Sequence, residues 1–188
     1  REAVDFDYLP ESIFIMGGGP IGCEFAQIFS SFGSKVHLVD VLPSLLAREE
    51  KEIGQLLQAL FEHRGVNVVV GAQVSKVEKN GNKKIIHLTK NEQDSTIEVD
   101  ELLVATGKKP MLDLGLDKAG VTTDKKGVPV NEYLQTNIPH IYAAGDIVGP
   151  FQFTHTGNYQ SHIAVHNMFE EHKIIPDYTV VPRCVFAD

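Results

Sequence analysis

The chain has 188 residues, 43% of them hydrophobic and 22% charged, with 25 acidic against 17 basic side chains and a formal net charge of −8. This size and balance fit a soluble globular chain of one large domain or one and a half ordinary ones, and the acidity argues against nucleic acid or an anionic membrane as partner. No apolar run reaches the roughly 18 residues of a membrane span, and the two cysteines, without C-x-x-C or zinc spacing, argue against a disulfide framework and for a reducing, cytoplasmic compartment.

Residues 1–11 form a polar lead-in, and Leu9-Pro10-Glu11 favours an extended approach to the first strand. Ser12-Ile13-Phe14-Ile15-Met16 is a β-branched and aromatic run, hence that strand, and a glycine cluster comes directly after it. Apolar residues then recur at Ile21, Phe25, Ile28, Phe29 and Phe32, which is one face of a helix. The join between strand and helix reads G-x-G-x-x-G through Gly17, Gly19 and Gly22. Gly17 permits a tight turn, Gly19 lets backbone approach a pyrophosphate, and Gly22 lets helix and strand pack closely. Pro20 and Ile21 open the helix, whose free amides and partial positive charge suit phosphates, and they are read with the glycines as cofactor contacts.

Ser34 to Val39 reads as a second strand, ending in Asp40, 23 residues after Gly17. An acid at that place is positioned to accept hydrogen bonds from an adenosine ribose, so the segment predicts a dinucleotide site. A carboxylate attracts a 2′-hydroxyl and repels a 2′-phosphate. Val41, Leu42 and Pro43 add no cation and the nearest is Arg48, so NAD is expected over NADP.

Glu49 to Arg64 reads as a helix with Ile53, Leu56, Leu57, Leu60 and Phe61 on its apolar face and Gly65 at its C-terminal cap. Val66 to Val70 follows as a buried third strand. Gln73 to Lys79, Lys83 to Lys90 and Ser95 to Val99 are short alternating runs separated by Asn80-Gly81 and by Asn91 to Asp94, which predicts an antiparallel meander with one wet face. Glu101 to Ala105 returns to a buried strand and runs into Thr106-Gly107-Lys108-Lys109-Pro110. Met111 to Leu134 is turn-rich. His140 to Ala144 reads as a short strand ending in Gly145-Asp146, and Thr154 to Glu171 as a helix contacting its surroundings through Tyr159, Ile163, His166, Met168 and Phe169. The predicted fold is α/β: a Rossmann-like parallel sheet with helices and an inserted antiparallel meander.

Three stretches together carry a resemblance. Ile15 to Ala26, Leu103 to Pro110, and Thr136 to Asp146, in this order and with a meander between the first two, resemble the pyridine nucleotide–disulfide oxidoreductase family, which includes dihydrolipoyl dehydrogenase, mercuric reductase and glutathione reductase. The resemblance implies an NAD(P)-binding domain over residues 1–110, the C-terminal part of an FAD-binding domain over 111–172, and the start of a dimerisation domain over 173–188. It implies NAD and FAD as cofactors, a homodimer in the intact enzyme, a small-molecule substrate, and hydride passing between nicotinamide and flavin. Residue by residue, Gly17, Gly19 and Gly22 would hold the NAD pyrophosphate and Asp40 the ribose. Glu24 would stand near the nicotinamide and flavin as the one catalytic-site residue of this chain, and Gly107 would lie against the cofactor. Gly145 and Asp146 would meet the FAD ribitol, and Thr154 and His155 would offer main-chain donors near the flavin pyrimidine edge.

The sequence departs from the family pattern at Lys108, where arginine is usual, and at Pro20, where some relatives carry an aromatic lid over the nicotinamide. The family's first glycine motif and redox cysteine pair precede this segment, so the chain reads as a piece of a longer enzyme, inactive alone. A flavoenzyme without redox cysteines, of the NADH dehydrogenase or ferredoxin reductase kind, and a non-catalytic NAD-sensing module stand as alternatives. Cys23, in the first turn of a packed helix, reads as a buried structural thiol rather than a nucleophile. His162 and His166 have metal-pair spacing but Ile163 stands where a metalloprotease needs its glutamate, so no metal is expected. No serine stands in a nucleophile elbow.

Overall fold

The computed structural model describes residues 2–187. They form two compact units, one running to Gly107 and including the segment that starts at Cys184, the other Lys108–Arg183.

The first unit is built on strand β1 (Ser12–Met16), which pairs in parallel with β2 (Lys35–Asp40) on one side and β7 (Glu101–Val104) on the other, while β3 (Asn67–Val70) extends the sheet beyond β2. Helix α1 (Pro20–Ser31) carries the chain from β1 to β2, and α2 (Lys51–His63) from β2 to β3. Between β3 and β7 lie β4 (Gln73–Asn80), β5 (Lys83–Lys90) and β6 (Gln93–Val99), a separate antiparallel sheet in sequential order. The alternation of β1 divides the core in two. Ile13 and Ile15 point to the helical layer, where they meet Cys23, Ala26, Phe29, Leu57 and Phe61. Phe14 points the other way, against Val39, Ile86, Leu88 and Val99, so the meander covers the second face of the parallel sheet.

Both helices stop at a left-handed glycine. Gly65, at φ 82°, bonds back to Glu62 O at 3.0 Å while Val66 N reaches Phe61 O at 2.9 Å, and Gly33 at φ 97° closes α1 by the same pair of bonds. The turn between β5 and β6 is tighter than the four-residue spacer suggests. Asn91 and Glu92 both take positive φ, Lys90 faces Gln93 in register, and β6 therefore starts two residues before Ser95.

Four expectations about burial are corrected. α1 buries Gly22, Cys23, Ala26 and Phe29, whereas Ile28 and Phe32 of the expected apolar face are exposed, because the small residues on the glycine-turn side pack on the sheet. α2 buries Gly54, Leu57 and Phe61, whereas Ile53, Leu56 and Leu60 face solvent, because the sheet accepts a narrower stripe than the apolar content offers. β3 is the outermost strand, so Val68, Val69 and Val70 are half-buried. In the second unit, α3 (Thr154–Phe169) buries Thr156, Gln160, Ile163, Ala164 and Asn167, while Met168 and Phe169 are exposed; Tyr159, also exposed, does make the expected contact, accepting from Asp177 N at 3.0 Å. The helix is anchored by polar side chains that bond irregular backbone, a role that an apolar-periodicity reading misses.

The strand expected at His140 to Ala144 does not form. Its only strand-like neighbour among the described residues is the Leu134–Thr136 backbone, which it meets through Thr136 N to Ile141 O at 2.9 Å, Ala143 N to Leu134 O at 3.0 Å and a single bridge between Gln135 and Tyr142. Leu134, Ile163 and Ala164, with Val130, Tyr142 and Val148 against them, make the small core of this unit.

Candidate functional site

β1 is the strand at which the parallel sheet changes direction, since β2 and β7 flank it. In open parallel sheets, crevices form beyond the carboxyl ends of strands at such a reversal. Gly17 opens the bend there, at φ 114°. Its amide donates to Val39 O at 2.7 Å, and a Cβ built on it would sit 2.5 Å from Ala105 O. Gly17 therefore contributes shape, not a free donor. Ala105 N in turn donates to Met16 O at 2.8 Å, which brings the chain after β7, including Gly107 at φ 142°, to the same end of the sheet.

Gly22 is the close-packed glycine. A Cβ there would fall 1.8 Å from Gly17 O. Gly19 is the opposite case. Apart from its own chain neighbours, no atom of the described residues lies within 4 Å of the place its Cβ would occupy, its φ is −76°, and no described side chain caps the helix that starts beside it. Cys23 N bonds back to Gly19 O at 3.0 Å, whereas Ile21 and Gly22 precede any intrahelical acceptor and Pro20 has no N–H to offer. The result is an uncapped helix N-terminus beside open space, suited to an anion.

Asp40 reaches this bend from the end of β2. Its Oδ2 accepts from Gly18 N at 2.5 Å and its Oδ1 from Leu42 N at 2.7 Å. Each carboxylate oxygen retains further acceptor capacity. The acid is thus locked in orientation by the glycine loop itself, a contact the spacing rule does not contain. Cys23, packed against the same turn, donates its thiol to Gly18 O at 3.4 Å, and burial, then the charges of Asp40 and Glu24, push its pKa up to about 12. A neutral, buried thiol agrees with a structural role.

Glu24 accepts from Phe186 N at 3.1 Å, so the terminal segment lies beside α1, with Val185 and Ala187 against the helical-layer core. Sequence reading did not pair these residues, which lie 162 positions apart.

In the second unit, Gly145 takes φ 85° and Asp146 carries a half-exposed carboxylate 4.0 Å from Lys108 Nζ. Gln160, fully buried, holds this turn by accepting from Gly145 N at 2.6 Å and donating to Gly149 O at 2.6 Å and Tyr178 Oη at 2.7 Å. Thr154 and His155 open α3, which no side chain caps, and the buried Thr156 Oγ1 in its first turn has no hydrogen-bond partner among the described residues. His155 stacks on Phe153 at 5.3 Å. His166 is engaged with His172 O at 2.8 Å. No group of three or more potential metal ligands occurs among the described residues.

The chain matches the pyridine nucleotide-disulphide oxidoreductase family over residues 1–166. It is 36% identical to the dihydrolipoyl dehydrogenase of Chlamydia pneumoniae over 186 residues, which is 98% of this chain and 39% of that protein. It is equally identical to a mercuric reductase of Staphylococcus aureus, covering 99% of this chain and 34% of the relative. Among solved structures it resembles a Cu(II) complex of the HOCl-induced flavoprotein disulfide reductase RclA from Escherichia coli, with a TM-score of 0.89 and 30% identity over 99% of this chain and 42% of that one. LpdA from Mycobacterium tuberculosis superposes with a TM-score of 0.87 at 26% identity, over all of this chain and 40% of that structure. The chain spans about two fifths of the length of the dihydrolipoyl dehydrogenases it matches.

Proposed function

Because this chain belongs to the pyridine nucleotide-disulphide oxidoreductase family, we propose that its first unit is the nicotinamide dinucleotide-binding part of a flavin-dependent reductase and its second unit a portion of the flavin-binding part. The observation that carries this is the combination at the bend after β1: open space at Gly19, an uncapped helix start, and an acid held against the same loop.

The residues present fit the cofactors. Amides of Gly19, Ile21 and Gly22 would receive the pyrophosphate of NAD, with Gly17 shaping the bend and Pro20 leaving its side of the helix start without a donor. Asp40 would accept from the ribose hydroxyls through the lone pairs that Gly18 and Leu42 leave free, which favours NAD over NADP. Glu24 would set the negative charge beside the nicotinamide, and Gly107 would border it. For FAD, Gly145 and Asp146 would receive the ribitol, and the start of α3 at Thr154 and His155, with the unpartnered Thr156 hydroxyl, would face the pyrimidine edge. Nicotinamide and flavin together supply hydride transfer, while this chain supplies placement and electrostatics. In the intact protein the reaction would be that of a dihydrolipoyl dehydrogenase-like or mercuric reductase-like enzyme, a cytoplasmic homodimer acting on a small molecule.

Calorimetric titration of the 188-residue chain with NADH and NADPH, alongside the Asp40→Ser variant, tests the reading. The unsubstituted chain is expected to prefer NADH, and the variant to lose at least part of that preference. Equal discrimination in both proteins would remove the ribose role from Asp40.

A further inference from the structure

α2 carries a glycine, Gly54, at its fourth residue. Glycine in a helix interior costs about 1 kcal/mol relative to alanine, so its presence calls for a steric reason. Gly54 is buried, and a Cβ built on it would lie 2.3 Å from Leu45 O, a backbone atom with nowhere to rotate. The helix and the loop after β2 therefore approach closely at Gly54.

The same loop grips the dinucleotide bend from the other side. Leu45 is fully buried, and its Cδ2 sits 2.6 Å from where a Cβ on Gly18 would be. Leu46 is held at φ 47°, a left-handed conformation that a branched side chain adopts only when its surroundings impose it. From there its amide donates to Gly18 O at 2.8 Å. Gly18 N, in turn, donates to Asp40 Oδ2. One residue thus joins the two halves of the site, with Leu46 fixing its carbonyl and Asp40 fixing its amide.

We propose that Gly54 is a positioning residue for the dinucleotide site: by letting Leu45 O approach α2, it seats Leu46 on Gly18 and so sets both the phosphate bend and the Asp40 carboxylate. The ligand is a nicotinamide dinucleotide, so the inference rests on the functional reading above. Gly54 touches no cofactor. It lies behind the loop, and its effect passes through Leu45, Leu46 and Gly18.

The test compares the unsubstituted chain, Gly54→Ala, and Gln55→Ala as an exposed neighbour in the same helix, each titrated with NADH and with nicotinamide mononucleotide. Thermal midpoints are measured without ligand. In Gly54→Ala the loop is pushed off Gly18, and NADH affinity is expected to fall roughly tenfold or more. Mononucleotide, which lacks the adenosine ribose and keeps only one phosphate of the pyrophosphate, is expected to lose less affinity than NADH, and Gln55→Ala to match the unsubstituted chain. A purely structural glycine would lower the thermal midpoint and leave the affinity of the folded protein unchanged for both ligands, which would overturn the proposal. Absence of NADH binding to the unsubstituted chain would instead overturn the cofactor reading, and this inference with it. Should Gly54→Ala fail to fold, amide exchange on the unsubstituted chain decides. NADH is expected to slow exchange at Leu46 together with Gly18, and slowing at Ile21 and Gly22 with Leu46 unchanged would contradict the coupling.

Discussion

The three motif glycines, Gly17, Gly19 and Gly22, look interchangeable as a motif, yet the structure gives them different physical duties, and substitutions should separate them. Gly22→Ala drives a methyl group into Gly17 O and has no relaxation except moving α1 off β1. It is expected to cost about 2–3 kcal/mol of unfolding free energy, read as a lower urea midpoint. Gly19→Ala meets no atom and keeps an ordinary φ, so its stability is expected to stay within about 0.5 kcal/mol of the unsubstituted chain. Its NADH affinity should nonetheless drop, because the methyl group fills the space the phosphates would use. Loss of stability in both variants would mean that the open space at Gly19 is not a binding feature. At this scale the sequence was a good guide to which residues gather, since Gly17, Gly19, Gly22 and Asp40 do lie at one bend. The Gly18 amide on Asp40 and the Leu46 amide on Gly18 were not legible, because a backbone donor has no residue-type signature.

The helices, α3 included, were readable in extent, but the side chains that anchor an element were readable only where they are apolar. β1, α1, β2 and the meander follow from alternation, helical spacing and turn residues to within two residues in extent, although Ile28 and Phe32 of the expected α1 face are exposed and β4 buries none of its residues. α3 is different. Its buried face includes Thr156, Gln160 and Asn167, and Asn167 alone bonds Tyr133 O, Ile174 O and Ile174 N. Gln160→Leu would leave Gly145 N and Gly149 O without their present partner, at a cost of about 3 kcal/mol. The expected result is a lower urea midpoint for probes in the second unit; an unchanged midpoint would show that solvent replaces the glutamine. In the parallel sheet, β2 and β3 are joined by Asn67 Nδ2 donating to His37 Nδ1 at 2.9 Å. Burial of His37, then the charge of Lys35, lowers its pKa from the ordinary value near 6.5. The unfolded chain therefore takes up this proton at a higher pH than the folded one. His37 costs nothing at about pH 8, and stability is lost as pH falls below its ordinary pKa, by at most about 1.4 kcal/mol per pH unit. Urea midpoints measured from about pH 8 to about pH 5 should fall less in His37→Gln, which keeps an acceptor without the titration; parallel curves would exclude His37 as a contributor.

At the scale of the whole molecule, the family assignment, the sheet order and the proposed chemistry meet at one place, the end of β1 where β2 and β7 diverge. The distribution of parts explains why the sequence carried so much of this. A nucleotide site built from backbone amides needs glycines at fixed steps and an acid at the next strand end, and such constraints survive as a readable pattern. The stretch ending at Gly145-Asp146 was readable as part of a resemblance, whereas its anchor, the buried Gln160 bonding Gly145 N and Gly149 O, was not. The central claim is that a nicotinamide dinucleotide lies across the bend after β1, and amide-resolved NMR titration of the chain with NADH tests it most directly. The largest, saturable shifts are expected at Gly19, Ile21, Gly22 and Asp40, with smaller ones from NADPH at equal concentration. Shifts confined to other parts of the chain, or no saturable shift at those four amides, would contradict the account.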